Sequence, residues 1–153
     1  MALPDSFCNE FLSALEKIYP ALPTQIIHRD PNPGNIIING DSFGFTNFDL
    51  AERNVRIYDT CYAAAAILSE TVNGTDETRF IKWIELYKNM MAGYDAAAKL
   101  SEEEKPAVPY IIMASQFVCC AWFSEEEKYQ EQYRNSVIMT KLLIDNFNKL
   151  FID

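Results

Sequence analysis

Histidine is nearly absent from this 153-residue sequence, where His28 stands alone. A single imidazole excludes a multi-histidine metal site and leaves one possible histidine base. No G-x-S-x-G occurs, so a hydrolase triad has no support. No apolar run approaches the roughly 20 residues needed to span a bilayer. The opening Met1-Ala2-Leu3-Pro4-Asp5 lacks the basic and apolar regions of a secretory signal. The expectation is a cytoplasmic protein without a membrane partner. Cysteine is limited to Cys8, Cys61, Cys119 and Cys120. None forms a C-x-x-C pair, and the adjacent two are badly placed to bond each other. Among apolar neighbours they read as reduced thiols acting as small hydrophobes.

Positive charge is scarce as well. Lys and Arg number 13 against 22 Asp and Glu, a net charge of −9. That field repels a phosphate backbone, so nucleic acid is not expected as a partner. It attracts a cationic substrate, or serves solubility alone.

Hydrophobic residues make up 49% of the chain, enough for the core of one domain covering residues 1–153. Asp5 or Ser6 can cap a first helix that Pro20 stops, with Phe7, Phe11, Leu15 and Ile18 as its buried stripe. Gln25-Ile26-Ile27 is a short extended run. His28 to Gly34 carries two prolines and a glycine and must be a loop. The β-branched run Asn35–Ile38, the turn Asn39-Gly40-Asp41 and the return Phe43–Thr46 predict a β-hairpin over 35–47.

The remainder, 58–151, reads as helices. An alanine-rich one runs from Tyr58 to Val72, with Cys61, Ala64, Ala65, Leu68 and Val72 on one side, and Asn73-Gly74 stops it. The next is capped near Thr75 or Asp76 and carries the stripe Phe80, Ile84, Tyr87, Met91 and Tyr94. Ser101–Glu104 has the capping-box form. Pro106 and Pro109 limit that helix or start the next, and Ile111–Phe123 reads as a central buried helix, well short of a membrane span. The last helix carries Tyr133, Val137, Thr140, Phe147, Leu150 and Phe151 on or near one face. The fold class is mainly α with a small β-hairpin.

The polar residues flanking the hairpin carry the chemistry. His28-Arg29-Asp30-Pro31-Asn32-Pro33-Gly34-Asn35 matches the catalytic-loop pattern H-R-D-x-x-x-x-N. Across the hairpin lies Phe45-Thr46-Asn47-Phe48-Asp49, where a kinase carries its metal-binding D-F-G. Phosphoryl transfer needs a carboxylate to position a hydroxyl and accept its proton, and oxygen ligands to hold Mg²⁺ on the nucleotide phosphates. A loop followed by a tight hairpin brings the two sets together.

On these residues the chain resembles small-molecule kinases of the aminoglycoside phosphotransferase and choline kinase group. Those typically read H-G-D-x-x-P-G-N, an apolar strand, a turn, a second strand and D-F-D. The likeness covers His28 to about Leu68, including Ile57-Tyr58-Asp59 before the alanine-rich helix. The resemblance implies a kinase-like C-terminal lobe that uses ATP and Mg²⁺ on a small hydroxylated substrate, cationic or neutral. It implies that Asp30 is the base or orients the acceptor hydroxyl, that Asn35 is a metal ligand, and that His28 braces the loop. Asp59 either anchors the loop from the following helix or simply caps that helix.

Two departures stand out. Asn47 occupies the place of the metal-binding aspartate. A unit charge about 4 Å away is worth roughly 1 kcal/mol in water and about 4 at an effective dielectric of 20. Metal affinity is therefore expected to fall tens to hundreds of times. Asp49 would share a face with Asn47 if the segment stays extended, and could replace it as ligand. The second departure is the N-terminal lobe. Only 27 residues precede His28, and no Gly-rich loop or V-A-I-K-like strand occurs.

The chain alone is therefore expected to have little or no kinase activity. A homodimer, or a separate chain supplying the N-terminal lobe, is expected to cover the exposed apolar surface. The alternatives are a non-catalytic pseudokinase-like binding or dimerisation module and one half of a split kinase. Glu102–Glu104 and Glu125–Glu127 could line a cation pocket, or be solvated helix starts. Trp83 and Trp122 could stack on a quaternary amine, but helical placement favours the core.

Overall fold

The computed structural model describes residues 5–71 and 77–152. The helix terminator Asn73-Gly74, the cap at Thr75 or Asp76, Val72 and the opening four residues lie outside the described residues. The chain begins with α1 (Asp5–Ile18), which ends before Pro20 in a 3-10 turn over Tyr19–Ala21. Phe11 is buried, with Phe7, Leu15 and Ile18 packed partly beside it. That is the stripe the helical spacing predicts.

Four short strands follow: β1 (Thr24–Ile27), β2 (Ile36–Asn39), β3 (Ser42–Phe45) and β4 (Glu52–Val55). The hairpin pairs β2 with β3 around Gly40-Asp41, and Gly40 takes φ +61°, where a Cβ would be strained. Sequence reasoning missed β4. It pairs antiparallel with β1, from Thr24↔Val55 to Ile27↔Glu52, and so clasps the base of the hairpin. The segments 28–35 and 46–51 therefore leave and return at the same end of the β1–β4 pair.

The helical body is α2 (Tyr58–Thr71), α3 (Glu77–Ala97), α4 (Glu104–Ser124) and α5 (Gln130–Asp145). Cys61, Ala64, Ala65 and Leu68 of α2 are buried, and the small alanines let α2 pack closely against both α3 and α4. Trp83 is buried and donates its indole N–H to the Ala64 carbonyl at 2.8 Å, so the core reading holds for it. Side chains such as Leu68, Tyr87, Ile112 and Leu143 are fully buried. Each contributes on the order of 1.5–3 kcal/mol from burial.

Several expectations for the helices change. Pro106 and Pro109 do not divide α4, which runs unbroken for 21 residues. Pro106 falls in the first turn, where no intrahelical N–H bond is lost, while Pro109 lies inside and removes one. At this length α4 is apolar enough to cross a membrane by length and composition alone, longer than the segment expected. It packs against α1, α2 and α5. Nor is α4 buried all round, because Val118 and Trp122 are more than half exposed, which overturns the core reading of Trp122. In α5 the buried stripe is Ser136, Met139, Thr140 and Leu143, with Tyr133 and Val137 only half-buried at its side.

A buried ion pair ties the helices to the strands. Glu104 has no exposed surface, and its carboxylate accepts two 2.6 Å bonds from the Arg56 guanidinium. The same carboxylate accepts from the Ser101 amide at 2.8 Å while the Ser101 hydroxyl accepts from the Glu104 amide at 3.3 Å. The capping box is present, with its glutamate turned inward onto Arg56.

Candidate functional site

The site is assembled where 28–35 passes 46–51. His28 is buried and touches both segments. Its Nε2 lies 2.7 Å from the Thr46 carbonyl, so it donates, and Nδ1 accepts the Asp30 amide at 3.3 Å. The partners fix one neutral tautomer. The rings of Phe45 and Phe48 lie 5.7 Å and 4.6 Å from the imidazole.

Asp59, in the first turn of α2, reaches back beneath the loop. Its two carboxylate oxygens accept the backbone N–H groups of His28 and Arg29, each at 2.8 Å. These charge-assisted bonds hold Arg29 at φ +73°, a conformation that costs an L-residue about 1–2 kcal/mol. Arg29 pairs with Glu52 of β4 at 3.3 Å, both partly exposed. Arg29 and Asn47 are the two non-glycine residues with positive φ among the described residues, and they stand on either side of Asp30 and Asn35.

Asp30 is half-buried, and its two oxygens face amides. Oδ1 accepts from Asn32 Nδ2 at 2.9 Å, and Oδ2 accepts from Asn35 Nδ2 at 2.9 Å. Asn35 Nδ2 also donates to the Asp30 carbonyl at 2.8 Å. Asn32 was missed by sequence reasoning, although Asn before Pro signals a turn built on its side chain. Its Oδ1 accepts the Gly34 amide at 2.8 Å, and a Cβ on Gly34 would come within 3.0 Å of that oxygen. A side chain there would press on Asn32, which would have to give by a few tenths of an ångström.

Near the carboxylate the helices add Tyr62 and Cys119, to which no sequence signal gave a place at the site. Tyr58 and Tyr62 of α2 are stacked, with centroids 5.9 Å apart. Burial, and then the neighbouring Cys119 thiol, pushes the Tyr58 hydroxyl up to about 12. Burial raises Tyr62 further, with Cys119 and Asp30 adding to it. Cys119 itself is pushed up to about 11, chiefly by burial. All three stay protonated at neutral pH, and Tyr62 and Cys119 stand near Asp30. Two surface hollows, one along α1 at Ser13 and Lys17 and one between α2 and α3 at Lys82 and Trp83, lie away from this site.

No family model matches the chain, and no curated protein matches it.

Of the residues singled out from the sequence, the structure brings together His28, Asp30, Asn35, Asn47 and Asp59, and leaves Asp49 aside. The segment after Asn47 does not stay extended. Asn47 turns left-handed at φ 62°, ψ 61°, and Phe48–Leu50 form a 3-10 turn. Asp49 is exposed on that turn, so the shared face with Asn47 is lost.

The three residues put forward for Mg²⁺ do not fit the ion. Both amide hydrogens of Asn35 are spent on Asp30, which aims its Oδ1 the other way. Facing that oxygen is an N–H donor, Asn47 Nδ2 at 3.4 Å, not a second oxygen. A hard dication asks for several oxygens, carboxylates among them. Among the described residues no group of three His, Cys, Asp or Glu could hold a metal.

Proposed function

We propose that the chain is the catalytic-loop lobe of a kinase-like small-molecule phosphotransferase, whose complete form acts on a small hydroxylated, cationic substrate. The observation that carries this reading is the Asp30–Asn35 pair on a loop held by Asp59 and His28. In that role Asp30 orients an acceptor hydroxyl and takes its proton, and Asn35 fixes the rotamer of the carboxylate. ATP supplies the phosphoryl group from a site that a second lobe completes.

Further support comes from the surface. Ile26, Ile37, Ile38, Phe43, Phe45, Phe48 and Leu50 are all exposed, within one stretch of 25 residues. So much exposed apolar surface marks an interaction face. On this reading a copy of the chain or a separate N-terminal lobe covers it, and the chain alone transfers no phosphate. Light scattering at micromolar concentration tests the self-association arm, where a strictly monomeric species leaves only the separate lobe.

The test of the central reading is calorimetric titration of ATP with Mg²⁺ into the chain and into Asn47→Asp. No heat is expected from the chain as it stands, and measurable binding from the variant. Binding by neither would sink the idea of a latent nucleotide site. Steady ATP-dependent phosphorylation of an alcohol by the purified chain would sink the claim that it is inactive alone. The non-catalytic binding module is favoured by one observation, the amide of Asn47 set against Asn35. That module predicts an Asp30→Asn variant that binds its ligand unchanged.

A further inference from the structure

The misfit of Mg²⁺ at Asn35 and Asn47 has a positive counterpart. We propose that the side-chain amide of Asn47 stands in for a divalent cation, so that the loop carrying Asp30 is held in place without metal. The inference rests on the phosphotransferase-lobe reading only in expecting a cation between these side chains.

The chain of contacts is continuous. Asn47 Nδ2 donates to Asn35 Oδ1 at 3.4 Å, Asn35 Nδ2 donates to Asp30 Oδ2 at 2.9 Å, and Asn32 Nδ2 donates to Asp30 Oδ1 at 2.9 Å. The direction of the chain is fixed at its far end. Asp30 offers only acceptors, its carbonyl and its carboxylate, so the NH₂ of Asn35 must face it. The oxygen of Asn35 then looks toward Asn47 and needs either a cation or an N–H. Asn47 provides the N–H. Two backbone bonds hold the same junction: the Thr46 amide donates to the Asn35 carbonyl at 3.0 Å, and the Thr46 carbonyl accepts from His28 at 2.7 Å.

The backbone at position 47 favours this arrangement. Asparagine is among the few L-residues that enter the left-handed region readily, and aspartate is another. Asn47→Asp therefore keeps the turn and exchanges only the N–H donor for a carboxylate. That variant turns two oxygens, Asn35 Oδ1 and the new carboxylate, toward each other, an arrangement that a dication relieves. Asn47→Gly keeps the turn and removes the side chain altogether.

The experiment compares wild type, Asn47→Asp and Asn47→Gly by thermal unfolding in EDTA and in Mg²⁺. Wild-type side-chain amide NMR signals are followed as Mn²⁺ is added. The wild type is expected to melt at the same temperature in both buffers, with the Asn35 and Asn47 amide signals unbroadened by Mn²⁺. Asn47→Asp is expected to melt lower in EDTA and to recover by roughly 2–4 °C in Mg²⁺. Asn47→Gly melts lower and ignores Mg²⁺. Mn²⁺ broadening of the two amides in the wild type overturns the proposal, whatever becomes of the variants. A folded Asn47→Asp that is indifferent to Mg²⁺ overturns it too, because the amide pair is then an ordinary turn contact. Neither result touches the lobe reading, which is decided by nucleotide binding.

Discussion

The helices bury most of their large apolar side chains, whereas the stretch from β1 to β4 leaves most of its own in solvent. In the helical body Leu68, Tyr87, Ile112 and Leu143 have no exposed surface. In the stranded stretch Ile38 and Phe43, which face each other across the hairpin, are about three-quarters exposed. Two two-stranded sheets cannot bury a face by themselves. Their geometry is held by polar bonds to the body and across the loops, with Asp59 and His28 at the centre. Stability resides in one region and the candidate site in the other, which is how a rigid scaffold commonly presents a loop.

The largest effect should come from breaking the joint between the regions. Glu104→Gln leaves Arg56 facing a neutral amide in a buried place, and stability should fall by about 3–5 kcal/mol in denaturant unfolding. The same pair sets a pH dependence. Burial pushes the Glu104 carboxyl up, but the Arg56 hydrogen bond, the Ser101 amide and the Arg56 charge outweigh it and hold the group below its usual range. A depressed folded-state pKa contributes stability that is complete above the unfolded value of about 4.3. It is lost as pH falls through the folded value. Wild type should therefore lose stability in acid below that point, and Glu104→Gln should lose less of what remains. Parallel acid titrations would refute the assignment.

Next in size is a matched pair of truncations. Leu68→Ala should cost about 2–5 kcal/mol, because it opens a cavity at the centre of the helical core. Phe43→Ala should stay within about 0.5 kcal/mol, because its ring is already in water. A large loss from Phe43→Ala at high protein concentration, fading on dilution, would show that a partner covers the hairpin.

Smaller and more local is Asp59→Asn. It replaces a carboxylate that accepts two backbone N–H groups by an amide with one acceptor oxygen, a loss of about 1–3 kcal/mol. Native-state hydrogen exchange should place the loss at the amides of His28 and Arg29 and leave α3 and α4 protected. Uniform loss across the helices would make Asp59 a cap of α2 and nothing more.

Helical periodicity marked the buried stripes of α1 and α2, since a face that repeats every turn needs no distant partner to be seen. In α5 it found Thr140 but passed over Ser136, Met139 and Leu143, in part because Ser136 is small and polar and is buried by its bond to Gln116 of α4. The strand β4, Glu-Arg-Asn-Val, carries no apolar alternation and exists because β1 lies opposite. At the site, the residues spaced by local turn chemistry were legible. Tyr62 and Cys119 reach Asp30 from helices 32 and 89 positions away, a juxtaposition that only the tertiary fold creates. Asp49 failed for a local reason: the left-handed turn at Asn47 ended the extended segment its role required.

The smallest effect is also the one that best separates strain from function. Arg29 holds φ +73°, in the left-handed region that glycine enters without penalty. Arg29→Gly removes a left-handed penalty of about 1–2 kcal/mol. It also gives up the exposed pair with Glu52, worth about 0.2–1 kcal/mol, and adds backbone freedom to the unfolded chain, worth roughly 0.5–1 kcal/mol. These oppose one another, so the net change should fall between a loss and a gain of about 1 kcal/mol in denaturant unfolding. A loss above about 1 kcal/mol would mean that the bridge from Arg29 to β4, and not only Asp59, sets the loop. In that case the strained arginine is a structural member of the site, and its replacement should also loosen the His28 and Asp30 amides in hydrogen exchange.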